Sequence, residues 1–359
     1  MRELQQRPLA GDWHVVGLGK AAGSMTLGAA NALGNHMRSA LVITKAGHVP
    51  DELGVLPNVR AVESAHPIPD ARSLAAGDEL YDYVRALPRS SQVLCLVSGG
   101  ASSLVERLAP GVTLAQLQEF NARALRSGRD IGAINASRAR LSTLKGGGLA
   151  RLLAPRRTHA LMVSDVPRDD PTVLASGLLH APRTPTVPTR IVASHRDARV
   201  AAAKCARALG FEVREHRARF SGDVTMLARR FTRALLRRTS RSFHVWSGES
   251  TLELPEISGR GGRNQHLALS AALALAGHRD AALLAAGTDG VDGASEDAGA
   301  LVDGDTIARG LDQGLDARAS LDAADSGRYL EACGALVYTG PTLTNVGDLV
   351  LACRVGPAS

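Results

Sequence analysis

Of the 42 basic side chains in this 359-residue sequence only four are lysine, and three of those lie within two residues of a glycine. Lys20 sits in GLGKAAG at 17–23, Lys45 in ITKAGH at 43–48 and Lys145 in LKGGG at 144–148. Lys204, in an alanine-rich run, reads as an ordinary helix-surface residue. A lysine ammonium is a compact, mobile charge that suits a phosphoryl group in transfer, whereas arginine is a rigid fork. Either coding bias left these lysines by chance, or they handle phosphate.

Other groups point the same way. GLGKAAG follows a strand-like run at 14–18, where glycines let the backbone approach an anion and a following helix offers unpaired N–H groups. A tight turn packed with glycine is the plainer reading. The dinucleotide fingerprint fits poorly: the spacing is one residue too long, and no acidic residue occurs between Trp13 and Pro50. SGGASS at 98–103 could wrap a carboxylate or phosphate with N–H groups, or cap a helix through serine, and the two are compatible. SDVPRDD at 164–170 offers carboxylates for Mg²⁺, which takes one or two of them plus phosphate oxygens, or it is a solvated acidic loop. GTDGVDG at 287–293 lacks the bidentate acid of a calcium loop and reads as an acidic loop for metal or nucleotide. Arg263, behind two glycines in GGRNQ, could clamp phosphate, or it is one more surface arginine. His66 opens the rigid turn HPIPD at 66–70.

These groups need a scaffold. Strand-like runs at 14–18, 40–44, 59–63, 92–97 and 158–163 alternate with helical stretches at 21–33, 72–87, 113–127 and 130–144. That alternation implies βαβ units and a mostly parallel sheet, with ligand loops at the strand C-terminal ends. A Pro/Thr-rich stretch at 181–190 reads as a linker, followed by a strand at 191–194, a helix at 197–209 and a strand at 211–214. Further strands are expected at 243–246, 251–254 and 281–286, with a helix from the GGRNQ glycines to about 276. The length calls for two domains. Aromatics are only 3% of the chain, so the core must be Ala, Leu and Val.

The formal charge of +7 invites a nucleic-acid partner, but the arginines are dispersed and few rings exist to stack bases. No Walker A or protein-kinase catalytic loop occurs. Cys95, Cys205, Cys333 and Cys353 lack zinc spacing and read as reduced, buried thiols. The absence of a signal peptide and of a long apolar run reads as a cytoplasmic protein with no membrane role.

Taken in order, GLGKAAGSM, TKAGH, HPIPD, LVSGGASSL, INASRARLSTLKGG, SDVPRDDPTVLASG, GGRNQ, GTDGVDG and TGPTLTNVGDL resemble the glycerate 2-kinases, with an N-terminal glycerate-kinase domain and a C-terminal MOFRL domain. Members of that family have often been labelled hydroxypyruvate reductase. The resemblance implies an α/β protein of two Rossmann-like domains, mostly parallel sheets and an interdomain cleft, divided here at 1–228 and 229–359. It implies ATP-dependent phosphorylation of the C2 hydroxyl of D-glycerate to give 2-phosphoglycerate, with Mg²⁺. Lys20, Arg263 and Asp165 are the expected catalytic residues, and Asp165 and Asp289 the expected metal ligands. Gly19, Lys45, Ser98, Gly99, Gly100, Lys145, Gly146, Gly147, Asn264 and Thr288 are the expected substrate and phosphate contacts. The expected partners are a small hydroxy-acid and ATP, with a homodimer as the candidate assembly. The rival readings are an NAD(P)H-dependent hydroxypyruvate reductase and a non-catalytic phosphosugar-binding regulator. This chain departs from the family pattern in a shortened 180–190 region, in Arg168 where relatives often have glycine, in Leu178, and in Ala294-Ser295.

Overall fold

A computed structural model describes residues 2–126, 131–237, 241–255 and 258–355. The chain divides into two compact units, Met1–Val192 with Leu343–Asn345, and Ala193–Thr342 with Val346–Ser359.

The first unit is built on six strands, β1 (Trp13–Leu18), β2 (Met37–Lys45), β3 (Val59–Ser64), β4 (Gln92–Val97), β5 (Arg157–Ser164) and β6 (Thr189–Ser194), in the order β3-β2-β1-β4-β5-β6. The pairs β1/β2, β2/β3, β1/β4 and β4/β5 are all parallel. The central strands are apolar on both faces, as a sheet covered on both sides requires. Along β4, Val93, Cys95 and Val97 join one core while Leu94 and Leu96 join another. That is the two-residue period of a strand dividing itself between two layers. Burial pushes the Cys95 thiol up to about 12, so it acts as a small hydrophobe. Strand order runs outward from β1 to β3, then reverses across β1 to β4. The crevice at the C-terminal ends of β1 and β4 is therefore the topological switch point, where open α/β sheets bind ligands.

The second unit carries seven strands: β7 (Glu212–Glu215), β8 (Phe220–Asp223), β9 (Ser242–Thr251), β10 (Ala281–Gly287), β11 (Gly299–Asp303), β12 (Leu336–Val337) and β13 (Asp348–Arg354). Their order is β12-β11-β10-β13-β9-β7, with β8 beside β9. This sheet is mixed: β7 and β8 run parallel to β9, while β9/β13, β13/β10, β10/β11 and β11/β12 are antiparallel. A mostly parallel sheet was expected in both units. The link from β10 to β11, residues 288–298, holds no crossover helix, and a parallel return needs one. The sequence also splits β9 into two strands, because Ser247–Ser250 is polar. Ladder partners on both sides, β13 and β8, hold that stretch extended.

The units divide at 192/193 rather than at 228/229. Two elements move the boundary: β7 pairs with β9, and the Val224–Leu236 helix buries Leu227, Phe231 and Leu235 in the second core. Of the four cysteines, Cys95 and Cys333 are buried, but Cys205 is exposed, against the expectation of buried thiols. Among the described residues no helix is long and apolar enough to cross a membrane.

Phe231 is fully buried, with its ring 4.6 Å from Trp246 and 5.3 Å from Phe220 between centroids. Phe231→Ala should therefore lower stability by about 3–5 kcal/mol in urea unfolding. A loss below about 1 kcal/mol would contradict this packing.

Candidate active site

In the first unit the loops after β1 and β4 are tied together. The Lys20 N–H donates to the Gly99 carbonyl at 2.9 Å, and the Ser98 N–H to the Leu18 carbonyl at 2.9 Å. The Ala21 N–H donates to Ser98 Oγ at 3.0 Å. Gly19 is left-handed at φ 116°, and a Cβ there would overlap the Ser98 carbonyl and hydroxyl. Only glycine meets both demands. A Cβ at Gly100 would lie 3.2 Å from both Lys20 Cγ and His66 Cδ2, so the lysine stem and the imidazole flank the second glycine. At Gly99 a Cβ would strike the Asp165 carboxylate and come within 2.9 Å of Asn345 Nδ2. Asn345 itself donates to Asp165 Oδ2 at 3.1 Å. One rim thus gathers Lys20, His66, Asp165, Asn345 and the Ser98–Gly100 turn. Among the described residues no acceptor is paired with the N–H groups of Gly99, Gly100, Ala101 or Ser102. Four successive donors of this kind suit an anion. Lys45 ends β2, half-buried on the same rim, where the Gly19 N–H bonds the Ile43 carbonyl at 3.0 Å.

In the second unit two loops far apart in sequence form one cluster. Asp292, from GTDGVDG, accepts the backbone N–H groups of Asn264 at 3.1 Å and Gln265 at 2.8 Å, and so caps the Arg263–Leu275 helix. Burial pushes its carboxyl up to about 6, while the two N–H donors pull it down. Arg263 donates to Glu249 Oε1 at 2.8 Å, and its Nε lies 3.2 Å from Asp348 Oδ2. Burial acts to lower the Arg263 pKa, but Asp348 and Glu249 outweigh it and raise it. Burial likewise raises the Asp348 carboxyl. Among the described residues no three His, Cys, Asp or Glu side chains gather to hold a metal.

The family model described as "Domain of unknown function (DUF4147)" matches residues 2–209, and that of the MOFRL family matches residues 242–348. The chain belongs to the DUF4147–MOFRL family. D-glycerate 2-kinase of Thermotoga maritima is 33% identical, over 94% of this chain and 89% of that protein. A protein of Agrobacterium vitis, provisionally named hydroxypyruvate reductase, is 34% identical over 97% of this chain and 88% of its own length. The crystal structure of glycerate kinase from Thermotoga maritima superposes with a TM-score of 0.87 at 30% identity, covering 99% of this chain and 94% of that one.

Several expected contacts of this DUF4147–MOFRL chain have other roles. Lys145 is fully buried; its ammonium pairs with the buried Glu106 carboxylate and donates to the Val105 carbonyl at 3.3 Å. Burial lowers the Lys145 pKa, and the Glu106 charge opposes that. It is an internal counterion and cannot reach a phosphate. The Gly146 and Gly147 N–H groups bond the Ser176 and Gly177 carbonyls at 3.2 and 2.6 Å, so they are closed to an anion. The N–H groups of Gly19 and Ser98 are likewise occupied, which leaves those of residues 99–102 as the open donors of this turn among the described residues. Asn264 is buried, with its backbone N–H and amide both on Asp292. The Thr288 hydroxyl donates to the Gly347 carbonyl at 2.6 Å and accepts the Val346 N–H at 2.9 Å, which fixes a loop and leaves no donor for substrate. Asp165 and Asp289 belong to different units. Arg168 has φ 59°, in the left-handed region that favours the glycine expected there. Sequence reasoning gave Asn345 no role; its motif was visible, but nothing local tied it to Asp165.

Lys145→Ala should cost about 3–5 kcal/mol in urea unfolding, because Glu106 is left buried and uncompensated. The double replacement Lys145→Met with Glu106→Leu should recover most of that. Equal losses in the single and double variants would deny the pair. Asp292 also sets a pH dependence. An unfolded aspartate loses its proton at about pH 4, and the folded one at about 6. Between these values the folded state binds more protons, so the stability due to Asp292 is full below about pH 4 and falls as pH rises through 6. Asp292→Asn should remove that slope from the unfolding free energy measured across the same range.

Proposed function

We propose that this protein is an ATP-dependent glycerate 2-kinase, transferring the γ-phosphoryl group to the C2 hydroxyl of D-glycerate to give 2-phosphoglycerate. The observation that carries the reading is the tied pair of loops at the β1/β4 switch point, which sets Lys20 and Asp165 against four unoccupied backbone donors. The names of the Thermotoga maritima relative and of its crystallised glycerate kinase agree with it.

Phosphoryl transfer asks for positioning and charge neutralisation more than for covalent chemistry. Lys20 supplies a cation to the transferring group, and the N–H groups of residues 99–102 hold phosphate oxygens. Arg263 is the second proposed cation. Its carboxylate partners fix the guanidinium fork in orientation. Mg²⁺ would neutralise phosphate charge. An all-oxygen site with one carboxylate fits its habit of taking the remaining ligands from phosphate and water. Asp165, held against Gly99 by Asn345, is the better-fixed candidate, and Asp289 in the second unit is the other.

Purified protein with ATP, Mg²⁺ and D-glycerate should release ADP and form 2-phosphoglycerate. Lys20→Ala should lose about 10²–10³-fold in turnover while its thermal unfolding stays unchanged. Near-normal turnover removes Lys20 from the mechanism. Steady oxidation of NAD(P)H with hydroxypyruvate, and no ADP release, would establish the reductase reading instead.

A further inference from the structure

Beside the switch point lies a second polar group that the scheme above does not use. Arg138, on the Ile131–Ala139 helix, donates to Ser176 Oγ at 3.1 Å and to Asn121 Oδ1 at 3.0 Å. Ser176 Oγ lies 2.9 Å from Ser102 Oγ and donates to Asn135 Oδ1 at 3.0 Å. Asn135 is fixed in turn through its amide, 3.2 Å from the Val173 carbonyl. Ser176 is buried and left-handed at φ 56°, next to Ala175 at 52°. Two consecutive non-glycine residues in that region are strained, and such strain gathers where geometry serves a site.

The charges do not balance. Among the described residues no carboxylate lies within ion-pair distance of Arg138. The carboxylate that acts on it, Glu106, is already neutralised by Lys145. Burial disfavours the Arg138 charge. A half-buried guanidinium with unused N–H donors and no carboxylate partner among the described residues is half of an ion pair. Its natural partner is a planar anion that can accept a bidentate fork. Ser102, whose hydroxyl supports Ser176, adds an unoccupied N–H and stands two residues from Gly100, against which the Lys20 stem packs.

We propose that Arg138, with the Ser102 N–H, binds the carboxylate of the hydroxy-acid substrate, while the Ser102–Ser176 hydroxyl pair and Asn121 hold the guanidinium in place. The proposal rests on the kinase reading of the neighbouring rim for the identity of that acid.

The test is direct binding of D-glycerate and of glycerol, which has no carboxylate, by calorimetry without nucleotide, followed by steady-state kinetics. The wild type should bind D-glycerate and not glycerol. Arg138→Gln should weaken D-glycerate binding about 10- to 100-fold and leave KM for ATP unchanged. Arg138→Lys should fall between, and Ser102→Ala should weaken binding several-fold. The inference is overturned if Arg138→Gln binds glycerate like the wild type, or if it raises KM for ATP in place of glycerate, since the anion would then be a nucleotide phosphate. It also fails if the wild type binds no hydroxy-acid. If Arg138→Gln does not fold, Ser102→Ala and Arg138→Lys decide, and unchanged binding in both refutes it. Carboxylate-dependent, Arg138-dependent binding with no ADP release would leave this site standing while the kinase reading fell.

Discussion

Three short bonds between the loops that follow β1 and β4 govern the first unit's site. Strand ends in a parallel sheet leave backbone groups that need partners, and here each loop satisfies the other. The Leu18 carbonyl, the Gly99 carbonyl and the Ser98 hydroxyl are all consumed in this joint. What remains unclaimed is the run of N–H groups from Gly99 to Ser102. The same joint fixes the root of Lys20 and brings Gly99 close enough to Asp165 to leave no room for a side chain. A larger residue at Gly19 or Gly99 would therefore disturb the cation, the donors and the carboxylate together, because all three hang from one crossing of two loops.

The two cores were legible in the sequence to different depths. The strands of the first unit announce themselves as buried apolar runs, and β4 coincides with the expected 92–97 run. Their parallel pairing follows from the helices between them. The second unit hides more. Its β13, Asp348–Arg354, alternates weakly, and its β12 is two residues long. The Val224–Leu236 helix, for which the sequence reading names no element, has a clear apolar face of Leu227, Phe231 and Leu235 that was there to be read.

At the site, residue type was legible and partnership was not. The rarity of lysine singled out Lys20, Lys45 and Lys145 alike, yet the fold sets Lys145 apart from the other two. Lys145 lies beneath the surface opposite Glu106, 39 positions earlier in the chain. Glycine-rich strings carry the same ambiguity. At 98–100 they free backbone donors, and at 146–147 they let the chain pair with the 174–177 segment. Both uses need small residues, and only the register of a distant segment separates them. The link between GGRNQ and GTDGVDG is of this kind too, since Asp292 meets Gln265 across 27 positions.

Electrostatics also distinguishes the two arginine clusters. Around Arg263 one guanidinium faces Glu249, Asp348 and Asp292, so the cluster is acidic on balance. Around Arg138, among the described residues, the carboxylate that acts on it is cancelled by Lys145, so that cluster is cationic on balance. An organic acid gains most from the second environment, whereas at Arg263 the carboxylates already present hold the guanidinium in a fixed orientation. The buried Lys145–Glu106 pair is thus more than a packing device. By removing Glu106 from the balance it leaves Arg138 cationic.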